Sequence, residues 1–318
     1  MSGRYGITVP FDGVSLPEHR DWYRRLADLG YTDLWSAEVD GADGMTPLAL
    51  AAVTEPRLRL GVAVVPAFTR GPGLLAMTAA SMGELSEGRF TLGLGASSPA
   101  VVERWNAVPF DRPYARTRDT LRFLRRALTG ERVDASYETF AVEGFRLSRP
   151  VTHAPEIFLA ALRPGMLRLA GREADGVILN WLGVDDVARC RAEAGAGAGT
   201  VVARLFVVPT DDADLARRVG RRMISSYLTV PAYAEFHRWL GRTEALTPMW
   251  EAWARGDRAR ANEVIPDAVV DELIVHGPFE ACREHLARYV EAGVEVPMLA
   301  IVPVGVELAD AVAGLAPH

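Results

Sequence analysis

The chain has no lysine: all 35 of its basic residues are arginine. That excludes chemistry needing an ε-amino group, including Schiff-base formation, the P-loop lysine and the Ser-x-x-Lys nucleophile pair. Cysteine is nearly absent as well. Cys190 and Cys282 stand alone without a Cys-x-x-Cys spacing, which suits a reducing cytoplasm. No apolar run approaches the roughly 18 residues that a membrane span requires. The opening MSGRYGITVP lacks the basic start and long apolar stretch of a secretory leader. His19, His153, His237, His276, His285 and His318 show neither His-x-His nor His-Glu-x-x-His spacing, so no metal site is expected. No Gly-x-Ser-x-Gly elbow presents a hydrolytic serine. A net charge of −6 leaves no basic face for nucleic acid.

What is present is a rhythm. The 318 residues, 49% hydrophobic and 24% charged, have the size and composition of a soluble α/β barrel, here read as one domain over 1–318. Strands are expected at Gly6–Pro10, Asp33–Ser36, Leu58–Val65, Phe90–Gly95, Ile157–Ala160, Gly176–Asn180, Val201–Val208 and Met298–Pro303. Several are apolar almost throughout (VAVV, GVIL, LFVV), as parallel strands covered on both faces are. Amphipathic helices fall between them, at Leu16–Gly30, Arg116–Leu128 and Glu280–Glu291. Eight strands with right-handed helical crossovers make a (β/α)8 barrel, with a doubly wound open sheet as the alternative. Two stretches interrupt the pattern. Residues 136–147 alternate polar and apolar around Glu143-Gly144 and predict an inserted hairpin. Residues 225–266, rich in Tyr and Trp, are too long for one crossover helix and read equally as pocket wall or as packing.

Candidate chemistry gathers at the predicted strand ends. Gly95-Ala96-Ser97-Ser98 follows the fourth strand, a small-residue loop where backbone N–H groups could meet a phosphate or where the chain merely turns. Leu162-Arg163-Pro164 follows the fifth, with Pro164 placed to open a helix whose N-terminus would suit an anion. Glu38 and Asp40 follow the second strand and Asp12 the first; each could bind a ring N–H, act as an acid or cap a helix. Read from the residues alone, this is a barrel enzyme that binds an anionic cofactor or substrate.

Several phrases, taken in order, resemble the bacterial-luciferase-like family: YGITVP, LWSAEVDGADGMTPLALAA, LGVAVVPAFTRGPGLLAM, GRFTLGLGASSPAVVERWNAVPFDRP, LAALRPGMLRLAGREADGVILNWL and HGPFEACREHLARYVEAGV. The set is most similar to the branch that uses coenzyme F420, with FMN as the alternative cofactor. That resemblance implies a TIM barrel and a hydride transfer between deazaflavin C5 and a small organic substrate. The alternatives are an FMNH2-dependent monooxygenase and a barrel that only binds a ligand. It implies a non-proline cis peptide at Ala63–Val64 behind the ring and Gly95, Ala96, Ser97 and Ser98 along the ribityl chain. Ala161, Leu162 and Arg163 would hold the phosphate, and Asn180 and Trp181 would border the ring. Glu38 matches a carboxylate of some relatives, but Val39 replaces their neighbouring histidine, which argues against a sugar-phosphate substrate. For the general acid Glu38 is expected first, then His237 or Tyr227; Asp12, Tyr227 and Tyr233 are expected near the substrate. A homodimer is implied too.

Overall fold

The computed structural model describes residues 3–317; Met1, Ser2 and His318 lie outside the described residues. In chain order the strands are β1 (Gly6–Thr8), β2 (Asp33–Ser36), β3 (Arg59–Pro66), β4 (Phe90–Gly95), β5 (Val133–Ser136), β6 (Ala141–Phe145), β7 (Glu156–Ala160), β8 (Gly176–Asn180), β9 (Thr200–Pro209), β10 (Ile274–Gly277) and β11 (Val296–Ile301). Parallel pairing runs β1-β2-β3-β4-β7-β8-β9-β11, and β11 returns to β1, so eight strands close a barrel. They are the eight expected from the sequence. The ninth, β10, was not expected. It lies beside the upper end of β9, pairing Ile274 with Phe206 through Gly277 with Pro209, above the stretch that β8 occupies.

Helices α1 (His19–Asp28), α2 (Thr46–Thr54), α3 (Pro72–Leu85), α4 (Pro113–Ala127), α5 (Pro164–Glu173), α6 (Val184–Ala194), α7 (Ala213–Tyr227), α8 (Pro231–Trp239), α9 (Thr243–Ala254), α10 (Arg258–Glu263), α11 (Asp267–Leu273), α12 (Phe279–Glu291) and α13 (Leu308–Gly314) surround it. The outward residues of the strands (Leu34, Leu60, Leu92, Leu159, Leu179, Leu205) pack on helix residues such as Leu26, Leu48, Leu75 and Leu124. The inward residues Trp35, Phe158, Ile178, Val202, Val296 and Met298 form a separate cluster that fills the lumen. Trp35 can lie across it because its neighbours are glycines: a Cβ on Gly61 would come within 2.3 Å of the indole, and one on Gly6 within 3.0 Å. With the lumen filled, chemistry is confined to the C-terminal mouth, where barrel strands deliver their loops.

The inserted hairpin is real but turns elsewhere. β5 and β6 are antiparallel and the chain reverses over 137–140, where Tyr137 N donates to Phe140 O at 2.8 Å and the two rings stand 4.9 Å apart. Thr139 fastens that turn to α4 through Asp119 Oδ2, at 2.9 and 3.0 Å. Gly144 lies within β6 at φ 67, not at the reversal. The segment 225–266 resolves into the end of α7 and helices α8, α9 and α10. Among the described residues no helix is long and apolar enough to cross a membrane, and no cluster of His, Cys, Asp and Glu has metal-binding geometry.

Candidate active site

Four consecutive strand ends form one arc of the mouth. On β3 the register with β4 slips between Val62 and Val65, and the Ala63–Val64 peptide is cis. The slip brings Val64 against β4. A Cβ on Gly95 would lie 2.6 Å from Val64 Cγ2 and 3.3 Å from Ala160 Cβ, so the sequence has glycine where β3, β4 and β7 converge. Beyond Gly95 the chain passes through Ala96, Ser97 (φ 65) and Ser98 into a π-helical turn, Ala100–Trp105. Next in the ring, β7 runs into buried Ala161, half-buried Leu162 and exposed Arg163, and α5 begins at Pro164 with no side chain capping its first amides. β8 then ends in Asn180 and buried Trp181, whose φ is 55. The residues expected around a cofactor thus come from chain segments far apart in sequence and stand side by side.

Glu38 sits at the flank of this arc in a cleft of about 310 Å³, lined also by Val39, Asp43, Thr69, Arg70 and Asn106. Arg70 Nη2 donates to its Oε2 at 2.6 Å, Arg70 Nε reaches both oxygens at 3.2 Å, and Gly44 N donates to Oε2 at 3.1 Å. Oε2 takes most of these contacts, and Oε1 has only the shared one from Arg70 Nε. Neither Glu38 nor Asp40 caps the next helix. Asp43 does, its Oδ1 accepting from Met45 N at 2.9 Å and Thr46 N at 3.1 Å. Arg70 was not anticipated.

The aromatic segment does reach the mouth. Tyr227 stands 5.1 Å from Trp181, Tyr233 is edge-on to Tyr227 at 6.2 Å, and Asn180 Nδ2 donates to the Tyr233 hydroxyl at 2.9 Å. Burial pushes the Tyr233 phenol up to about 12, against the opposing pull of the Asn180 hydrogen bond. His237 is a correction. It is wholly buried, and burial together with the Arg242 charge pushes it down to about 3, against the opposing pull of the Trp181 backbone. A ring sealed from the mouth and held neutral cannot serve there as an acid. Asp12 is exposed on the loop after β1, at the rim and away from the arc.

Sequence reasoning passed over other residues of the mouth. Phe206 on β9 stacks on Trp181 at 4.3 Å. Thr8 Oγ1, Thr69 Oγ1 and Arg204 Nε, together with Oδ1 of Asn180 and Nε1 of Trp181 that were expected here, are buried without hydrogen-bond partners; Arg204 lies midway along β9, level with Asn180, and the others at strand ends or just beyond them. Others lie elsewhere, on Trp35 in the lumen, Arg59 at the foot of β3, Thr120 on α4 and Tyr137 in the hairpin, but these five are at or near the mouth, where a ligand could meet them. Residues 4–295 match the family described as Luciferase-like monooxygenase. The chain belongs to that family.

Within it, the chain is 28% identical to a candidate coenzyme F420-dependent oxidoreductase of Mycobacterium tuberculosis, covering 92% of this chain and 93% of that protein. In fold it is similar to the coenzyme F420-dependent tetrahydromethanopterin reductase of Methanopyrus kandleri, at a TM-score of 0.80 with 19% identity over 99% of this chain and 98% of the other. It is also similar to the oxygenating constituent of 3,6-diketocamphane monooxygenase from Pseudomonas putida, a complex with FMN, at a TM-score of 0.65 with 17% identity over 99% and 97%. The two structural likenesses establish the fold alone.

Proposed function

We propose that this luciferase-like barrel is a coenzyme F420-dependent oxidoreductase that moves a hydride between the deazaflavin and a small organic substrate, at a C=C, C=O, imine or alcohol carbon. The observation that carries the reading is the arc of β3, β4, β7 and β8 ends, built with few bulky side chains. Gly95 leaves room in front of Val64, Asn180 Oδ1 and Trp181 Nε1 await polar partners, and the uncapped start of α5 favours an anion. Such a cradle fits a flat tricycle with a ribityl chain and a phosphate. In this reading Ala63 and Val64 back the ring, and Asn180 and Trp181 border it. Gly95, Ala96, Ser97 and Ser98 follow the ribityl chain, while Ala161, Leu162 and Arg163 take the phosphate. The mycobacterial relative supports F420 over FMN.

When bound, F420 supplies or accepts the hydride at C5 and reacts sluggishly with oxygen. The chain contributes orientation, exclusion of water and a proton. Trp181, Phe206, Tyr227 and Tyr233 wall the β8–β9 side of the mouth and keep water from it. Tyr233 keeps its hydroxyl proton over the working pH range, and because its oxygen already accepts from Asn180, the O–H remains free to donate to substrate. Glu38 acts by fixing Arg70 and the Gly44 amide at the rim, and Asp12 borders the entrance. The partners in this reading are a small organic substrate and a second copy of the chain.

Titration with F420 and with FMN, oxidised and reduced, followed by quenching of tryptophan fluorescence, tests the proposal. F420 is expected to bind at micromolar concentration and FMN at least about tenfold more weakly. Tight FMN binding with none for F420, accompanied by oxygen-dependent turnover, would identify a monooxygenase instead. Binding of neither would leave a barrel that serves another ligand.

A further inference from the structure

One cation in the barrel is unaccounted for. Arg204 interrupts the apolar run of β9, between Ala203 and Leu205. Strand alternation puts it on the inward face with Val202, at the top of the filled lumen, level with Met298 on β11 and with Asn180 at the end of β8. Its Nε is buried without a hydrogen-bond partner, and among the described residues its guanidinium enters no ion pair. The carboxylates at the other side of the mouth, Glu38 and Asp43, belong to Arg70. Its compensation within the protein is the face of Phe206, whose ring centroid lies 4.9 Å from the guanidinium carbon. Its charge is felt at the Tyr233 phenol, whose ionised form it favours. Arg204 is half-buried, and its unpartnered Nε faces a largely apolar wall, a setting that favours an anionic ligand.

Position says which ligand. In the eight-strand ring β9 is four strands from β3, so Arg204 stands across the mouth from Val64. With the cofactor over the β3–β8 arc and Ala63–Val64 behind it, an arrangement that rests on the function proposed above, Arg204 faces the open side where substrate enters. We propose that Arg204 anchors a carboxylate of the substrate, and that the enzyme acts on small organic acids whose reacting carbon is held between the aromatic wall and the cofactor. A single planar guanidinium matches one planar two-oxygen anion. A dianionic phosphate would call for more cations than this side of the mouth presents. Asn180 and Tyr233 flank the anion site, and Phe206 and Tyr227 supply its apolar lining.

Calorimetric titration with benzoate and with its neutral counterpart benzamide tests the inference, on the protein alone and on the protein saturated with F420. Wild type is expected to bind benzoate at least about tenfold more tightly than benzamide, the low end for a charge-assisted contact. Arg204→Met should abolish that preference, Arg204→Lys should retain part of it, and F420 affinity should change less than about twofold in either. Equal affinity of wild type for benzoate and benzamide overturns the proposal without any variant, so it stands or falls even if Arg204→Met does not fold. A preserved preference in Arg204→Met overturns it too. A large loss of F420 affinity with the preference intact would assign Arg204 to the cofactor. Should F420 not bind at all, the functional reading fails, while the benzoate preference of the protein alone still decides the role of Arg204.

Discussion

Tyr233 and His237 occupy one face of α8, four residues apart. The first touches Asn180 at the mouth. The second is one turn deeper and wholly buried, against the positive charge of Arg242. Its pKa of about 3 in the folded chain lies below the value near 6.5 expected when unfolded. Between those values the unfolded chain binds the additional proton, so stability falls as pH drops through this window and is insensitive to this group above it. Between pH 7 and 5 the loss should be about 2 kcal/mol. Urea unfolding of wild type and His237→Leu at both pH values checks this: the acid-dependent loss should be smaller in the variant by that amount. An equal loss in both would place the sensitivity in another group. His237 was expected as a catalytic group, after Glu38, because it falls in the inserted segment 225–266; the sequence cannot say how deep a side chain of that segment sits. Arg204 was legible in principle, as a charge at inward parity in VVARLFVV. Its lack of a partner was not, because that depends on every strand around it.

At the scale of elements, the segment between α7 and β10 is tied to the barrel by one buried ionic cluster. Arg242, just before α9, donates to Asp186 Oδ2 on α6 at 2.6 Å and to Glu272 Oε2 on α11 through Nε at 3.0 Å. Burial pushes the Asp186 carboxyl above the usual range, and the Arg242 guanidinium opposes that shift. Asp186 also accepts from Gly183 N at 2.8 Å at the start of α6. Arg242→Met would leave a buried carboxylate without its counter-ion, a cost of about 3–5 kcal/mol. The expected result is faster proteolytic cleavage within 229–265 than in the barrel, together with a lower melting temperature. Unchanged cleavage and melting would mean that the aromatic contacts alone hold the segment. The barrel strands were legible because both of their faces are covered and their sequences are therefore apolar throughout. β10 was not: IVHG is short and polar at its end, and becomes a strand because β9 outruns β8 and leaves an edge open. The hairpin was legible, but its turn was misplaced, because the Thr139–Asp119 bonds that fix it join positions on different elements.

The whole molecule leaves one apolar face without a cover. α2 (TPLALAAVT) and α3 (PGLLAMTAASMGEL) are mostly apolar, and the exposed side of α3 carries Leu74, Met77 and Leu85 beside only two polar residues, Ser81 and Glu84. Their inner residues Leu48, Ala51, Leu75 and Ala79 are buried. Outside, Val53 is 67% exposed, Leu74 50%, Met77 48% and Leu85 42%. Leu74, Met77 and Leu85 recur at helical spacing on one side of α3. Large apolar side chains left exposed at helical spacing suit an interaction surface, and a two-fold axis lets the same surface serve both partners. The repulsion between two chains of net charge −6 is screened beyond about 8 Å at physiological salt and does not prevent such contact. Light scattering on the eluted protein should therefore give twice the 34.6 kDa of the chain. Met77→Asp, which places a charge at the centre of the patch, should give the single-chain mass with an unchanged circular dichroism spectrum. α2 and α3 follow the strands that carry Glu38 and the Ala63–Val64 peptide, so the monomeric variant also reports on the site: F420 affinity that falls with dissociation would mean that the interface holds the β2 and β3 ends in place, and unchanged affinity that each barrel binds alone.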